Sequence, residues 1–188
     1  MRLAIFGGTF DPIHNAHLTV AQEAARQFEL SRVLFVPASR PPHKGGFTSA
    51  PYEDRFRMVQ LACAGEPLFE ASRLEAGRRK SYSIFTIRKV KATLTPSDKL
   101  FFLIGADAFA EIETWYRWQE VIHEVAFIVV TRPGHHYATP PGARVHTLET
   151  VALPISSSEI RARLAAGQAP PEIPSPVLAY IRQHGLYR

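Results

Sequence analysis

The sequence predicts an α/β protein built on a doubly wound parallel sheet with helices on both faces. Two observations carry this. Strand-length apolar runs alternate with helix-period segments along the 188 residues, and the runs are apolar throughout rather than at every second position. A strand that is apolar throughout is covered on both faces, the condition of a parallel sheet held between two helical layers.

In chain order, Arg2 to Phe6 (RLAIF) reads as the first strand, ended by Gly7-Gly8. Leu18, Ala21, Ala25 and Phe28 recur at helical spacing and predict a helix over 15–29. Arg32 to Val36 (RVLFV) is the second strand, stopped by Pro37, and the Pro and Gly pairs of 38–50 make a loop. A helix follows over 52–64, with Phe56, Val59 and Cys63 on one side and the thiol in the core. A short strand is expected at 68–71 and a helix at 83–94. Leu100 to Ile104 (LFFLI) is the clearest buried strand, and Gly105 leads into a short helix over 106–112. A helix at 118–124, a buried strand at 126–130 (AFIVV) and a further strand at 145–148 come next. Helices at 157–166 and 175–184, stopped by Gly167 and Gly185, complete the reading. In such sheets ligands sit beyond the carboxyl ends of the strands, which directs attention to the residues after Phe6, Val36, Ile104 and Val130.

Composition narrows the function classes. Hydrophobic residues at 46%, with 12 Phe, supply enough apolar surface to exclude disorder. No repeat or linker divides the chain, so one domain over 1–188 is expected. Its apolar runs fall far short of the roughly 20 residues of a membrane span, and the N-terminal stretch is too short for a signal peptide. The expectation is a soluble, cytoplasmic protein. One cysteine excludes an internal disulfide framework and a multi-cysteine zinc site. A net charge of +5 suits an anionic partner, either a polymer or a small phosphate ester. The basic run Arg78-Arg79-Lys80 is short and no RNA-binding aromatic signature accompanies it, so nucleic acid ranks second.

The chemistry concentrates in two strings. The first, Gly7-Gly8-Thr9-Phe10-Asp11-Pro12-Ile13-His14-Asn15-Ala16-His17-Leu18, follows the first strand directly. Its glycines permit a tight turn and close approach to a ligand, and the helix behind it offers free N–H groups to phosphate. His14 and His17 share one face of the helical start; they can donate to phosphate oxygens and, as imidazolium, oppose charge that develops there. The spacing fits neither a P-loop nor a dinucleotide fingerprint. A metal reading of the pair lacks a third ligand at a familiar spacing. The second string, Ile155-Ser156-Ser157-Ser158-Glu159-Ile160-Arg161, opens a helix with hydroxyls and places an arginine one turn further in. Taken alone it is a helix cap.

Together the strings resemble the GGTFDPxHxGH and ISSSxIR motifs of the nucleotidylyltransferase superfamily, with Ala16 where the first usually has Gly. Three further strings resemble the bacterial nicotinate-nucleotide adenylyltransferases: Pro41-Pro42-His43-Lys44, Gly105-Ala106-Asp107-Ala108-Phe109 and Thr114-Trp115-Tyr116-Arg117-Trp118. Arg132-Pro133-Gly134 and Ser81-Tyr82-Ser83-Ile84-Phe85-Thr86 also match, the latter with Ser83 and Phe85 where the family has Thr and Asp. The resemblance spans nearly the whole chain and implies a Rossmann-like fold that transfers the adenylyl group of ATP to nicotinate mononucleotide. It assigns ATP to Gly7, Gly8, Thr9, Phe10, His14, His17, Gly105, Asp107, Ile155, Ser156, Ser157, Ser158 and Arg161, with His14, His17, Lys44 and Arg161 on the reacting phosphates. The mononucleotide falls to Thr9, Lys44, Ser83, Thr86, Ala106, Trp115, Tyr116 and Arg132, with Trp115 stacked on the pyridine ring. Mg²⁺ is expected to ride on the triphosphate without a protein cage. Nicotinamide mononucleotide or phosphopantetheine as acceptor, a non-catalytic nucleotide- or RNA-binding module, and a homo-oligomer stay open.

Overall fold

A computed structural model describes residues 1–41, 48–77, 80–151 and 156–188. Its elements run β1 (Arg2–Gly8), α1 (Asn15–Gln27), β2 (Arg32–Pro37), α2 (Tyr52–Cys63), β3 (Phe69–Ala71), α3 (Ser83–Lys91), β4 (Lys99–Gly105) and α4 (Ala106–Ala110). After a 3-10 turn (Ile112–Thr114) come α5 (Trp118–Glu124), β5 (Ala126–Thr131), β6 (Arg144–Glu149), α6 (Ser157–Ala165) and α7 (Ser175–His184).

The strands form one sheet in the order β3-β2-β1-β4-β5-β6, with every neighbouring pair parallel. The chain winds outward from β1 to β3, returns to place β4 on the other side of β1, and winds outward again. Winding therefore reverses between β1 and β4, where a crevice opens beyond the strand ends.

The continuous apolar strands supply both halves of the core. Ala4, Val33, Phe35, Phe101, Leu103 and Ile128 face one helical layer, where α1 contributes Val20, Ala21 and Ala24, α2 Met58 and Val59, and α7 Val177 and Ile181. Leu3, Ile5, Leu34, Val36, Phe102, Phe127 and Val129 face the other, with Ile84 and Ile87 of α3, Phe109 of α4 and Val121 of α5. Full burial of each large side chain contributes about 1.5–3 kcal/mol. Cys63 is buried in this core, and burial pushes its thiol up to about 12. Among the described residues no helix is long and apolar enough to cross a membrane.

Element ends depart from the expected ones for local reasons. The helix expected to reach residue 29 stops at Gln27, and Glu29 takes a left-handed φ of 49°. The helix expected over 83–94 stops at Lys91, where the Thr93 hydroxyl donates to the Val90 carbonyl at 2.7 Å and competes with the backbone ladder. The helix expected over 106–112 splits into α4 and the 3-10 turn. At the end of α7, Gly185 adopts φ 62° and the Leu186 N–H returns to the Ile181 carbonyl at 3.0 Å, which turns Tyr187 back toward the first loop.

Candidate functional site

A cavity of about 320 Å³ opens at the winding reversal. Its walls come from the exits of β1 (Gly7, Gly8, Thr9), β2 (Val36, Ala38) and β4 (Ile104, Gly105), with Ser81, Tyr82, Ser83 and Thr86 from the start of α3 and Thr114, Trp115 and Tyr116 from the segment before α5. Gly8 has a physical necessity of its own, since a Cβ there would lie 2.8 Å from the Phe10 ring. The open turn is thus used first by the chain's own aromatic. Trp115 meets Phe102 edge-on at 5.8 Å, and Tyr116 lies over Tyr82 at 4.6 Å. The Ser81 hydroxyl accepts the Ser39 N–H at 2.8 Å, tying the start of α3 to the exit of β2.

His14 is the N-cap of α1 and His17 its third residue, and their rings lie 3.9 Å apart. The His14 N–H donates to His17 Nδ1 at 3.2 Å. That bond leaves the ring proton of neutral His17 on Nε2, a fixed donor. His17 packs against Phe6 and Phe10, with ring centroids at 6.1 and 5.1 Å. Burial lowers His14 to about 4, partly opposed by Glu172, and drives His17 well below the histidine range, with His14 adding to the effect. This corrects the expectation of imidazolium: in the protein alone both rings are neutral at pH 7. His14 Nδ1 is buried without a hydrogen-bond partner among the described residues. Phosphate oxygens arriving here would meet N–H donors first and would draw protons to the rings afterwards.

The serine string lies against the first loop. Ser156 caps α6, accepting the Glu159 N–H at 3.2 Å while the Ser156 N–H donates to the Glu159 carboxylate at 2.7 Å. The Ser157 hydroxyl donates to the Pro12 carbonyl at 3.2 Å, and Arg161 donates to the Asp11 carbonyl at 2.8 Å and to the Ser158 hydroxyl at 3.2 Å. Two strings 150 positions apart, measured at the Arg161–Asp11 bond, form one surface.

Other predicted residues distribute unevenly. Gly7, Gly8, Thr9, Gly105, Ser83, Thr86, Trp115 and Tyr116 line the cavity. Phe10 is buried beneath the turn, and Ala106 packs into the core with Phe109. Asp107 is exposed in the first turn of α4, and Arg132 is exposed after β5, outside the cavity wall. Lys44 and Ile155 lie outside the described residues.

Sequence reasoning assigned no role to the groups that hold the turn. Asp11, 3% exposed, accepts the Ser49 and Ala50 N–H groups at 2.7 and 3.0 Å and the Tyr187 hydroxyl at 2.7 Å. Arg55, wholly buried, donates to the Thr9 carbonyl at 2.7 Å and the Ala50 carbonyl at 3.1 Å. Its signal was a charged residue on the apolar face of a helix, one turn before Met58 and Val59. Glu75 is buried in the cavity wall and accepts the Thr86 hydroxyl at 2.7 Å. It stands outside any regular element and gave no sequence signal.

Known proteins are similar along the whole chain. A family model described as cytidylyltransferase-like matches residues 5–163. A probable nicotinate-nucleotide adenylyltransferase of Solibacter usitatus is 59% identical over 187 residues, with 100% of each chain covered. A protein of the same name from Thermus thermophilus is 44% identical over 190 residues, again with 100% of each covered. Among solved structures, a Plasmodium falciparum nicotinic acid mononucleotide adenylyltransferase complexed with NaAD matches with a TM-score of 0.81 at 21% identity, covering 99% of this chain and 97% of that one. At that identity the likeness speaks for the fold.

Proposed function

This chain belongs to the cytidylyltransferase-like family and, within it, to the nicotinate-nucleotide adenylyltransferases, and on that premise we propose that it transfers the adenylyl group of ATP to nicotinate mononucleotide. The products are deamido-NAD and pyrophosphate. The observation that carries the reading, beside the full-length kinship, is the joining of the histidine turn to the serine string, in a loop whose first residues, Gly7, Gly8 and Thr9, line a cavity with aromatic walls.

The chemistry needs little from a base. A phosphomonoester has its second pKa near about 6, so the mononucleotide phosphate is largely dianionic at neutral pH. One of its oxygens forms a bond to the α-phosphorus of ATP as the α–β bridge breaks, and the electron pair leaves with pyrophosphate. Repulsion between anions is the obstacle, so catalysis is alignment and charge stabilisation. His17 Nε2–H, His14, the α6 hydroxyls and Arg161 supply donors on the phosphate side, and Lys44 is proposed to join them. Thr9, Ser83, Thr86, Trp115 and Tyr116 are proposed to hold the mononucleotide. Imidazoles, hydroxyls and a guanidinium suit phosphate oxygens better than a hard cation, so Mg²⁺ is proposed to arrive on ATP, where it would neutralise phosphate charge.

An assay with ATP and, in parallel, nicotinate mononucleotide, nicotinamide mononucleotide and phosphopantetheine tests this. The expected result is deamido-NAD with one pyrophosphate per turnover and a preference for the acid. Faster transfer to either rival acceptor, or no pyrophosphate at all, overturns it. His17→Ala should lower turnover by about 10²–10³-fold, the scale of losing an oriented donor, with its circular-dichroism melt retained.

A further inference from the structure

Three side chains of the Asp, Glu, Lys and Arg types are buried among the described residues: Asp11, Arg55 and Glu75. The first two compensate one another through shared partners at Ala50. Glu75 differs. Its carboxylate accepts the Thr86 hydroxyl and, among the described residues, makes no ion pair. Arg73, two positions away, is engaged with Glu53 through bonds of 2.9 and 2.8 Å. Burying a carboxylate is expensive unless Coulomb attraction to a cation offsets its lost hydration. Glu75 and Thr86 both line the 320 Å³ cavity, beside Tyr82, Phe102 and Trp115, so a cation can reach the carboxylate from the cavity.

We infer that Glu75 is the counter-ion of the substrate's pyridinium ring. This rests on the proposed mononucleotide site and adds what that site reads. Attachment of ribose to the ring nitrogen gives the flat pyridine a permanent positive charge at that nitrogen, which the nicotinate carboxylate on the ring accompanies but does not remove. The aromatic walls favour such a ring through their faces, and the Glu75 carboxylate supplies the balancing charge. Thr86 is the positioning residue that fixes the carboxylate. The ring nitrogen of a 1,4-dihydropyridine mononucleotide carries no charge, while the ring carboxylate and the phosphate are the same in both forms, so only the oxidised ring gains from Glu75 and the site selects oxidised over reduced pyridine nucleotides.

The test is calorimetric binding of nicotinate mononucleotide and its 1,4-dihydro form to the full chain, wild type and Glu75→Gln. The glutamine keeps an acceptor for Thr86 and removes only the charge. Wild type should prefer the oxidised form by about tenfold or more, the scale of one partly screened charge pair. Glu75→Gln should abolish that preference while leaving the KM for ATP within about twofold. Equal binding of the two forms by wild type, binding of neither, or a preference that survives in Glu75→Gln overturns the inference. Should the variant not fold, the wild-type ratio decides alone. Failure to make deamido-NAD would sink the proposed reaction instead, and the matching nicotinamide pair then still reads the ring charge.

Discussion

Asp11 occupies a place in the molecule that its neighbours in the histidine string do not share. Its carboxylate accepts bonds from the Ser49 and Ala50 N–H groups and from Tyr187, and its carbonyl accepts one from Arg161. Removing it strands the buried Arg55 without a counter-charge, so Asp11→Ala should lower unfolding stability by about 3–5 kcal/mol. Tyr187→Phe removes one hydrogen bond and should cost about 1 kcal/mol. Urea midpoints read both; equal shifts would remove Asp11 from its central role. The histidines make stability depend on pH. Their pKa values are lower folded than unfolded, so the unfolded chain binds more protons between the ordinary value near 6.5 and about 4. Stability is therefore full above the first value and falls as pH drops toward the second; His14 alone should account for about 2 kcal/mol between pH 7 and 5. A His14→Gln variant should flatten that loss in melts across the window, and an unchanged slope would place its source elsewhere. These residue-scale facts were the least legible. Histidine spacing suggested a phosphate site, but the depressed pKa values come from burial, for His17 against Phe6 and Phe10, which spacing does not encode. Glu75 stands outside any regular element, where no periodicity marks it as buried.

Elements were far more legible, because their signal is local. LFFLI and AFIVV gave β4 and β5 to within a residue at each end, since a run apolar at every position has few alternatives to a strand covered on both faces. Helix ends were harder, and at some of them side chains compete with the backbone. Thr93 ends α3 in this way. Ser156 begins α6 in the same currency, through its reciprocal bonds with Glu159. Ser156→Ala should therefore destabilise by about 1 kcal/mol, measurable by chemical denaturation. It should also raise the KM for ATP, because α6 carries Ser157 and Arg161 onto the first loop. A stability loss with an unaltered KM would separate the cap from the phosphate surface.

At the scale of the molecule, the doubly wound sheet was inferred from alternation and from strands apolar throughout, and the sheet has the reversal between β1 and β4 that such winding requires. The meeting of the two distant strings was expected from the resemblance; the bonds that make it, from Ser157 to Pro12 and from Arg161 and Tyr187 to Asp11, were not readable, because long-range pairing leaves no period in a sequence. Deleting residues 186–188 should thus weaken ATP binding as well as lower Tm; loss of Tm with unchanged ATP affinity would show that the hydroxyl of Tyr187 serves packing alone. These contacts also set an order of events during translation. The glycine turn leaves the ribosome well before Arg161, which follows Asp11 by 150 positions, and before Tyr187. A stalled nascent chain of 150 residues should then display its imidazoles yet fail to retain ATP, so that nucleotide capture waits for the serine string to emerge.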